Sequence, residues 1–288
     1  MTSRRHFLAA AAAALPSVGI AASSAAAKPS FRAQVGTNLY SFRYLAEKDL
    51  PGTLALIREL GFKDLEVGEF YGRSAAEFLH LLKQAGFTVS SYMAEYNALD
   101  KNIDSVAEQA RALGATYVVC STIPHSAKHI VARDCERAAD SFNRWGERLA
   151  SSALRLCYHT HGTEFDASPD GTMFDTLMKL SNPRFINFEM DIFWIVYGYQ
   201  DPVKLLRRYP NRFPLMHVKD IRKGTVLGGS PADVQEDDSV PLGTGIVDVR
   251  AALLAAQTSG VQRYFLEEEA VDAVPQIRQS LRYLAGLR

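Results

Sequence analysis

From Phe31 onward, short apolar runs alternate with longer stretches in which apolar residues recur every three or four positions. Runs of the first kind read as strands and of the second as amphipathic helices, and their alternation predicts a parallel sheet with crossover helices. The first strand is expected over 34–39, followed by a helix over 50–60 that stops at Gly61. Residues 63–67 form the second strand, and the helix over 75–85 stops at Gly86. The third strand, 87–93, precedes a helix over 102–113 and a stop at Gly114. A glycine just past a helix end takes up the left-handed turn that other residues resist, so helix, glycine, strand is the grammar of a repeated βα unit.

The pattern continues with a strand over 117–120, a long helical region over 127–152 and the strand that begins at Arg155 and carries His159 and His161. Further strands are expected over 185–191, 214–218 and 264–268, with helices over 202–208, 249–259 and 275–284 and an aperiodic loop over 224–244. Eight strands without a linker fit a single (β/α)8 barrel, which typically takes about 250 residues. An open doubly wound sheet would need a glycine-rich phosphate turn after its first strand, and Gly36-Thr37-Asn38 does not supply one.

Four of these strands end in groups that can bind a cation. They are Tyr158-His159-Thr160-His161, Glu189-Met190-Asp191, His217-Val218-Lys219 and Phe265-Leu266-Glu267. Side chains alternate along a strand, so His159 and His161 point the same way. The carboxyl ends of barrel strands build the active site, which would bring His159, Asp191, His217 and Glu267 together. Each has a structural alternative. His217 can be a satisfied core histidine, Asp191 a helix cap before Ile192-Phe193-Trp194, and Glu267 competes with Glu268 and Glu269 for the inward position. Phe265 shares the parity of Glu267 and favours its facing inward.

Composition narrows the function. The 288-residue chain is 47% hydrophobic and carries 32 basic and 32 acidic residues, so no net field draws it to nucleic acid or anionic membrane. Ser3-Arg4-Arg5-His6-Phe7-Leu8, the apolar stretch Ala9 to Ala22 and Ala25-Ala26-Ala27 read as a twin-arginine export signal over 1–27, leaving a catalytic domain over 28–288. The expected location is the periplasm, with no stable membrane span once the signal is removed; a homo-oligomer stays open. Cys120, Cys135 and Cys157 are odd in number and lie in apolar segments, which predicts buried thiols rather than a disulfide framework.

The motifs Tyr158-His159-Thr160-His161-Gly162-Thr163-Glu164-Phe165, Asp191-Ile192-Phe193-Trp194, His217-Val218-Lys219-Asp220, Leu242-Gly243-Thr244-Gly245 and Tyr264-Phe265-Leu266-Glu267 together resemble the sugar phosphate isomerase/epimerase family. These are the xylose-isomerase-like barrels that include tagatose 3-epimerase and inosose dehydratase. The resemblance spans the whole mature chain. It implies one divalent metal ion, Mn2+, Mg2+, Co2+ or Zn2+, held by Asp191, His217 and Glu267 together with a group from the fifth strand. The family places a glutamate there; this chain offers His159, with Glu164 or His161 as alternatives.

The implied activity is that of a sugar isomerase or epimerase acting on a sugar or keto-sugar through a metal-stabilised enediolate. Glu267 or Glu164 would serve as base and His161 or Lys219 as the group that protonates or polarises oxygen. Glu66, Lys219, Trp194 and Tyr40 would contact the small carbohydrate substrate. The loss of the fifth-strand glutamate weakens two-base epimerisation and raises a rival, a lyase that cleaves 3-keto-glycosides by β-elimination. A non-catalytic sugar-binding barrel is a further alternative. The endonuclease IV branch needs three zinc ions and more His and Asp/Glu ligands than these strand ends provide. Among the remaining histidines, His80 and His129 read as structural or surface, whereas His125 follows the fourth strand and can approach the site.

Overall fold

A computed structural model of the chain describes residues 30–125, 129–169 and 171–287; the export signal expected over 1–27 lies outside them. Eight parallel strands close into a barrel: β1 (Val35–Asn38), β2 (Asp64–Val67), β3 (Thr88–Ala94), β4 (Tyr117–Cys120), β5 (Arg155–His159), β6 (Ile186–Asp191), β7 (Leu215–Val218) and β8 (Arg263–Leu266). Each pairs with its neighbours in sequence, and β1 closes on β8 through Val35 opposite Tyr264 and Thr37 opposite Leu266. The (β/α)8 expectation therefore holds. Among the described residues, no helix is long and apolar enough to cross a membrane, and all three cysteines are buried and free.

Local chemistry explains the repeat. The helix Ala75–Gln84 opens with the Ser74 side chain accepting from the Glu77 amide and Glu77 accepting from the Ser74 amide, a reciprocal cap that satisfies two otherwise orphaned donors. It ends where Gly86 adopts φ 78° and Phe87 N–H reaches back to the Leu82 carbonyl at 2.8 Å. The helix Tyr96–Leu113 starts six residues earlier than its apolar spacing predicts and breaks at Asn102, with φ −159° and ψ 81°. There the Asn102 side chain accepts from the Ser105 amide and restarts the helix. The long helix after β4 runs Ala132–Ala150.

Besides the four-residue helices Phe31–Gln34 and Arg43–Ala46, the apolar pattern leaves two helices unread. Met173–Leu180 is short, and its start is signalled only by Thr172 and Asp175, which cap it reciprocally. Ile192–Tyr197 is apolar all round and so has no periodicity to read. The expected loop over 224–244 contains two single 3-10 turns, Pro231–Asp233 and Glu236–Asp238. Asp220 pins its far end: the two carboxylate oxygens accept from the amides of Ile221, Gly243, Gly245 and Val247, each at 2.9 Å. A Cβ on Gly245 would lie 2.1 Å from the Ile221 carbonyl. That close approach is the physical reason for glycine at the end of Leu242-Gly243-Thr244-Gly245.

Inside the barrel, the level nearer the amino ends is apolar. Met93, Tyr117, Val119, Cys157, Leu215 and Phe265 pack there against one another. The level above it carries charge.

Candidate metal centre

Strand register brings the charged level together. His159 lies opposite Glu189 across β5 and β6, Asp191 opposite His217 across β6 and β7, and His217 opposite Phe265 across β7 and β8. Because side chains alternate, His159, Glu189, Asp191, His217 and Glu267 all face the barrel axis. All are buried, with Glu189 and Asp191 at 0% exposure.

His159, Asp191 and His217 can each turn one ligand atom to a common point, these atoms lying within 4.8 Å of one another; Glu66, Glu189 and His217 form a second such group. The rings of His159 and His217 are 4.6 Å apart. Two buried carboxylate oxygens, Asp191 Oδ2 and Glu189 Oε1, have no hydrogen-bond partner among the described residues. A carboxylate oxygen buried without a hydrogen bond is costly. Two imidazoles with a carboxylate between them match the ligand types that a divalent cation takes, so the residues present fit the metal that the resemblance implies.

Asp191 satisfies both readings of its position. Its Oδ1 accepts from the amides of Phe193 and Trp194 at 2.8 and 3.3 Å, capping the helix Ile192–Tyr197, while Oδ2 faces Lys219 Nζ at 3.4 Å, His159 Nε2 at 3.7 Å and His217 Nδ1 at 3.8 Å. His217 is gripped on both sides, by Glu267 Oε2 at 2.9 Å from Nδ1 and Glu66 Oε1 at 2.5 Å from Nε2. Lys219 pairs with Glu267 at 3.1 Å and also with Glu269.

Burial opposes every charge here, and the neighbours decide the outcome. Burial alone would depress His217, but Glu189, Glu267 and Glu66 outweigh it and hold its pKa well above 6.5. Lys219 is likewise held well above 10.5, against burial, by Asp191, Glu267 and Glu269. Glu267 stays well below the usual carboxylate range despite burial, because Lys219 and His217 face it. Burial and the nearby Glu66 push Glu189 well up, and burial lifts Asp191 to about 6. His159 is pushed well down by burial and by His217, and His161 falls to about 4 through burial and Lys219. Both imidazoles are therefore neutral near pH 7, with a lone pair to give.

Above this cluster opens a cavity of about 590 Å³, lined by His159, His161, His217, Glu267, Trp194 and Tyr40 among others, a size suited to a small-molecule ligand. Trp194 is nearly buried and its ring centre lies 5.6 Å from that of His161; Tyr40 stands at the mouth, 51% exposed and stacked on Arg43.

Four expectations meet a different geometry. Lys219, expected to contact substrate, does not line the cavity: it is buried, with its ammonium paired to Asp191, Glu267 and Glu269. Glu66 does not line the cavity. It is fully buried, accepting from Asn38 Nδ2 at 3.0 Å and Ser91 Oγ at 2.5 Å as well as meeting His217, because β2 places it below the open end. Glu164 does not reach back to the cluster. The backbone turns at Gly162, φ 91°, and Glu164 is held by the Tyr158 hydroxyl and, at 3.1 Å, by the His161 amide, lining a separate cavity of about 240 Å³ that His125 also borders. Glu267 belongs to neither ligand group, its Oε2 being engaged by His217 and Lys219. Conversely, the strand-end pattern gave no role to Glu189, although its spacing of two from Asp191 carried the signal.

Fold and site together define an α/β barrel whose carboxyl-end face presents a polar, cation-fitting cluster under a small-molecule cavity. A family model described as xylose isomerase-like TIM barrel matches residues 54–287, and the chain belongs to that family. An inosose dehydratase from Lacticaseibacillus casei is 24% identical over 249 residues, which cover 74% of this chain and 79% of the relative. Two solved structures share the fold. A sugar phosphate isomerase/epimerase from Parabacteroides distasonis has a TM-score of 0.72 at 22% identity, covering 91% of this chain and 98% of that one. A xylose isomerase-like TIM barrel protein from Mycobacterium smegmatis in complex with magnesium has a TM-score of 0.65 at 14% identity, covering 88% and 96%.

Proposed function

We propose that this chain is a divalent-metal-dependent enzyme that removes a proton next to the carbonyl of an unphosphorylated keto-sugar. The observation that carries this reading is the group His159, Asp191 and His217, with Asp191 Oδ2 lacking a hydrogen-bond partner and the two histidines lining the cavity. A divalent cation held there would polarise substrate oxygens and stabilise the negative charge that develops on them. It would also compete with the proton now on His217, so binding should release a proton. Solved relatives, one with a bound zinc atom and one in complex with magnesium, support a divalent ion.

The chain's own groups divide the work. Glu267, kept ionised by Lys219 and His217, accepts the carbon-bound proton. His161, neutral and with an unpartnered Nδ1, hydrogen-bonds a substrate oxygen from the cavity wall, and Trp194 packs beside it. An uncharged substrate is supported by the wall itself. Glu47, Glu69, Glu95 and Glu269 line it, while Arg43 spends its guanidinium on Glu236, on the Glu269 carbonyl and on the Tyr40 carbonyl.

One observation favours elimination over epimerisation. Of the two carboxylates considered as acid/base groups only Glu267 lines the cavity, since Glu164 is tied behind it. With Glu267 as the base, the removed proton can return to a departing β-oxygen: the carbon–oxygen bond breaks, a carbon–carbon double bond forms, and water or an alcohol departs to leave an unsaturated ketone. The relative named inosose dehydratase supports that outcome. The twin-arginine signal expected over 1–27 supports a periplasmic reaction on this reading.

Incubating metal-loaded protein with inososes and with 3-keto-glucosides tests it. Release of water or aglycone with the absorbance of a conjugated ketone is expected. A changed stereocentre without release would restore the epimerase reading, and turnover that survives metal removal would end the metal-dependent one.

A further inference from the structure

We propose that Glu189 is a positioning residue of the metal centre: its carboxylate accepts the Nδ1 proton of His159 and so presents the Nε2 lone pair of that imidazole toward Asp191. The inference rests on the reading that His159, Asp191 and His217 hold the cation.

The geometry is set by strand pairing. Glu189 and His159 are register partners on adjacent strands, and Glu189 Oε2 lies 2.9 Å from His159 Nδ1. The other ring nitrogen, Nε2, faces Asp191 Oδ2 at 3.7 Å, the oxygen without a hydrogen-bond partner. An imidazole has one nitrogen to give to a metal, and the hydrogen bond on the other decides which. A carboxylate on the far nitrogen also makes the ligand more basic. Glu189 Oε2 is in addition 3.5 Å from His217 Nε2, so one fully buried carboxylate braces both imidazoles of the ligand group.

The arrangement also accounts for the departure at the fifth strand. A neutral imidazole there carries one negative charge less than a glutamate would. Glu189, its register partner across the sheet, keeps a carboxyl group beside that imidazole. Without such a role, a carboxyl group buried at this depth would be a cost that an apolar residue of the same size avoids.

The test uses the full chain, stripped of metal and titrated with Co2+, with affinity and the visible spectrum of the saturated protein as readouts. Glu189→Met keeps the volume but removes the acceptor, and binding is expected to weaken about 10–100-fold, as for other outer partners of metal-bound histidines, with the Co2+ band positions unchanged. Glu189→Gln, which still offers a carbonyl oxygen to Nδ1–H, should recover most of the loss. Asp191→Asn should alter the spectrum itself. Should Glu189→Met not fold, the nitrogen-15 signals of the Zn2+-loaded wild type decide the matter, because the proposal requires His159 to be protonated at Nδ1 and metal-bound at Nε2. Unchanged Co2+ affinity in Glu189→Met, no recovery in Glu189→Gln, a spectrum shifted as in Asp191→Asn, or metal on Nδ1 would each overturn it. A wild type that binds no divalent cation would overturn the metal reading as well, which separates the two failures.

Discussion

Two levels of the barrel interior, one above the other, pull the fold in opposite directions. The level formed by Met93, Tyr117, Val119, Cys157, Leu215 and Phe265 is apolar and close-packed, and burial of such side chains is what stabilises a barrel. Two residues further along β5, β7 and β8, Cys157, Leu215 and Phe265 give way to His159, His217 and Glu267. Burying those groups costs free energy unless each finds a partner, and Asp191 and Glu189 keep oxygens that accept no hydrogen bond among the described residues. The same strands therefore carry stability at one height and unspent binding capacity at the next. That contrast teaches where selection for folding ends and selection for chemistry begins.

The largest expected effect comes from removing the centre of the upper level. His217→Ala should abolish stoichiometric metal binding and lower kcat/KM by about 10³-fold or more, since a metal contributes several kcal/mol to transition-state stabilisation; metal content and steady-state rates check this. Phe265→Ala should do the reverse, costing about 3–5 kcal/mol of stability by denaturant unfolding while the folded fraction keeps its metal. If it lost the metal instead, the two levels would not be separable. Divalent cation at a thousandfold excess over its Kd should stabilise the wild type by about 4 kcal/mol, read as a rise in Tm that His217→Ala does not show.

The pH dependence of the metal-free protein offers a finer test, because two groups act in opposite senses. Asp191 is raised from 3.8 to about 6 by burial, so the folded state binds its proton more tightly; the stability it adds is present at low pH and lost as pH rises through about 6. His161 is lowered from 6.5 to about 4, so its contribution is present above 6.5 and lost as pH falls through about 4. Relative to wild type, Asp191→Asn should therefore lose stability between pH 7.5 and 5, and His161→Asn should gain it. Matching pH profiles for the three proteins would refute this pairing. The smallest change is expected from Glu164→Gln, which leaves the metal content unchanged and alters activity by less than about tenfold, equivalent to 1.4 kcal/mol, because its partners are Tyr158 and the His161 amide. A larger loss of activity would return Glu164 to the reaction.

Most of the fold was legible because its signals are local. The glycine stops at Gly61, Gly86 and Gly114 all take positive φ, and every expected strand lies within a few residues of an observed one. Helices escaped where the signal was weak, at Ile192–Tyr197 with its uniform apolarity and at Met173–Leu180 with its few turns. Parity along the strands was enough to turn His159, His217 and Glu267 toward one another. It was silent on height, so it left Glu66 among the substrate contacts although β2 sets it beneath them, and it did not say that the turn at Gly162 swings Glu164 away.

The sequence by itself determined an eight-fold alternation of strand and helix and the parity that sends imidazoles and carboxylates inward, since both depend on residues a few positions apart. Only the tertiary structure decided which of those groups share a level, that one oxygen of Asp191 caps a helix while the other accepts no hydrogen bond, and that Glu189 stands against His159. Those relations follow from the stagger between neighbouring strands, which is fixed when the sheet closes on itself and is written in no single stretch of the chain.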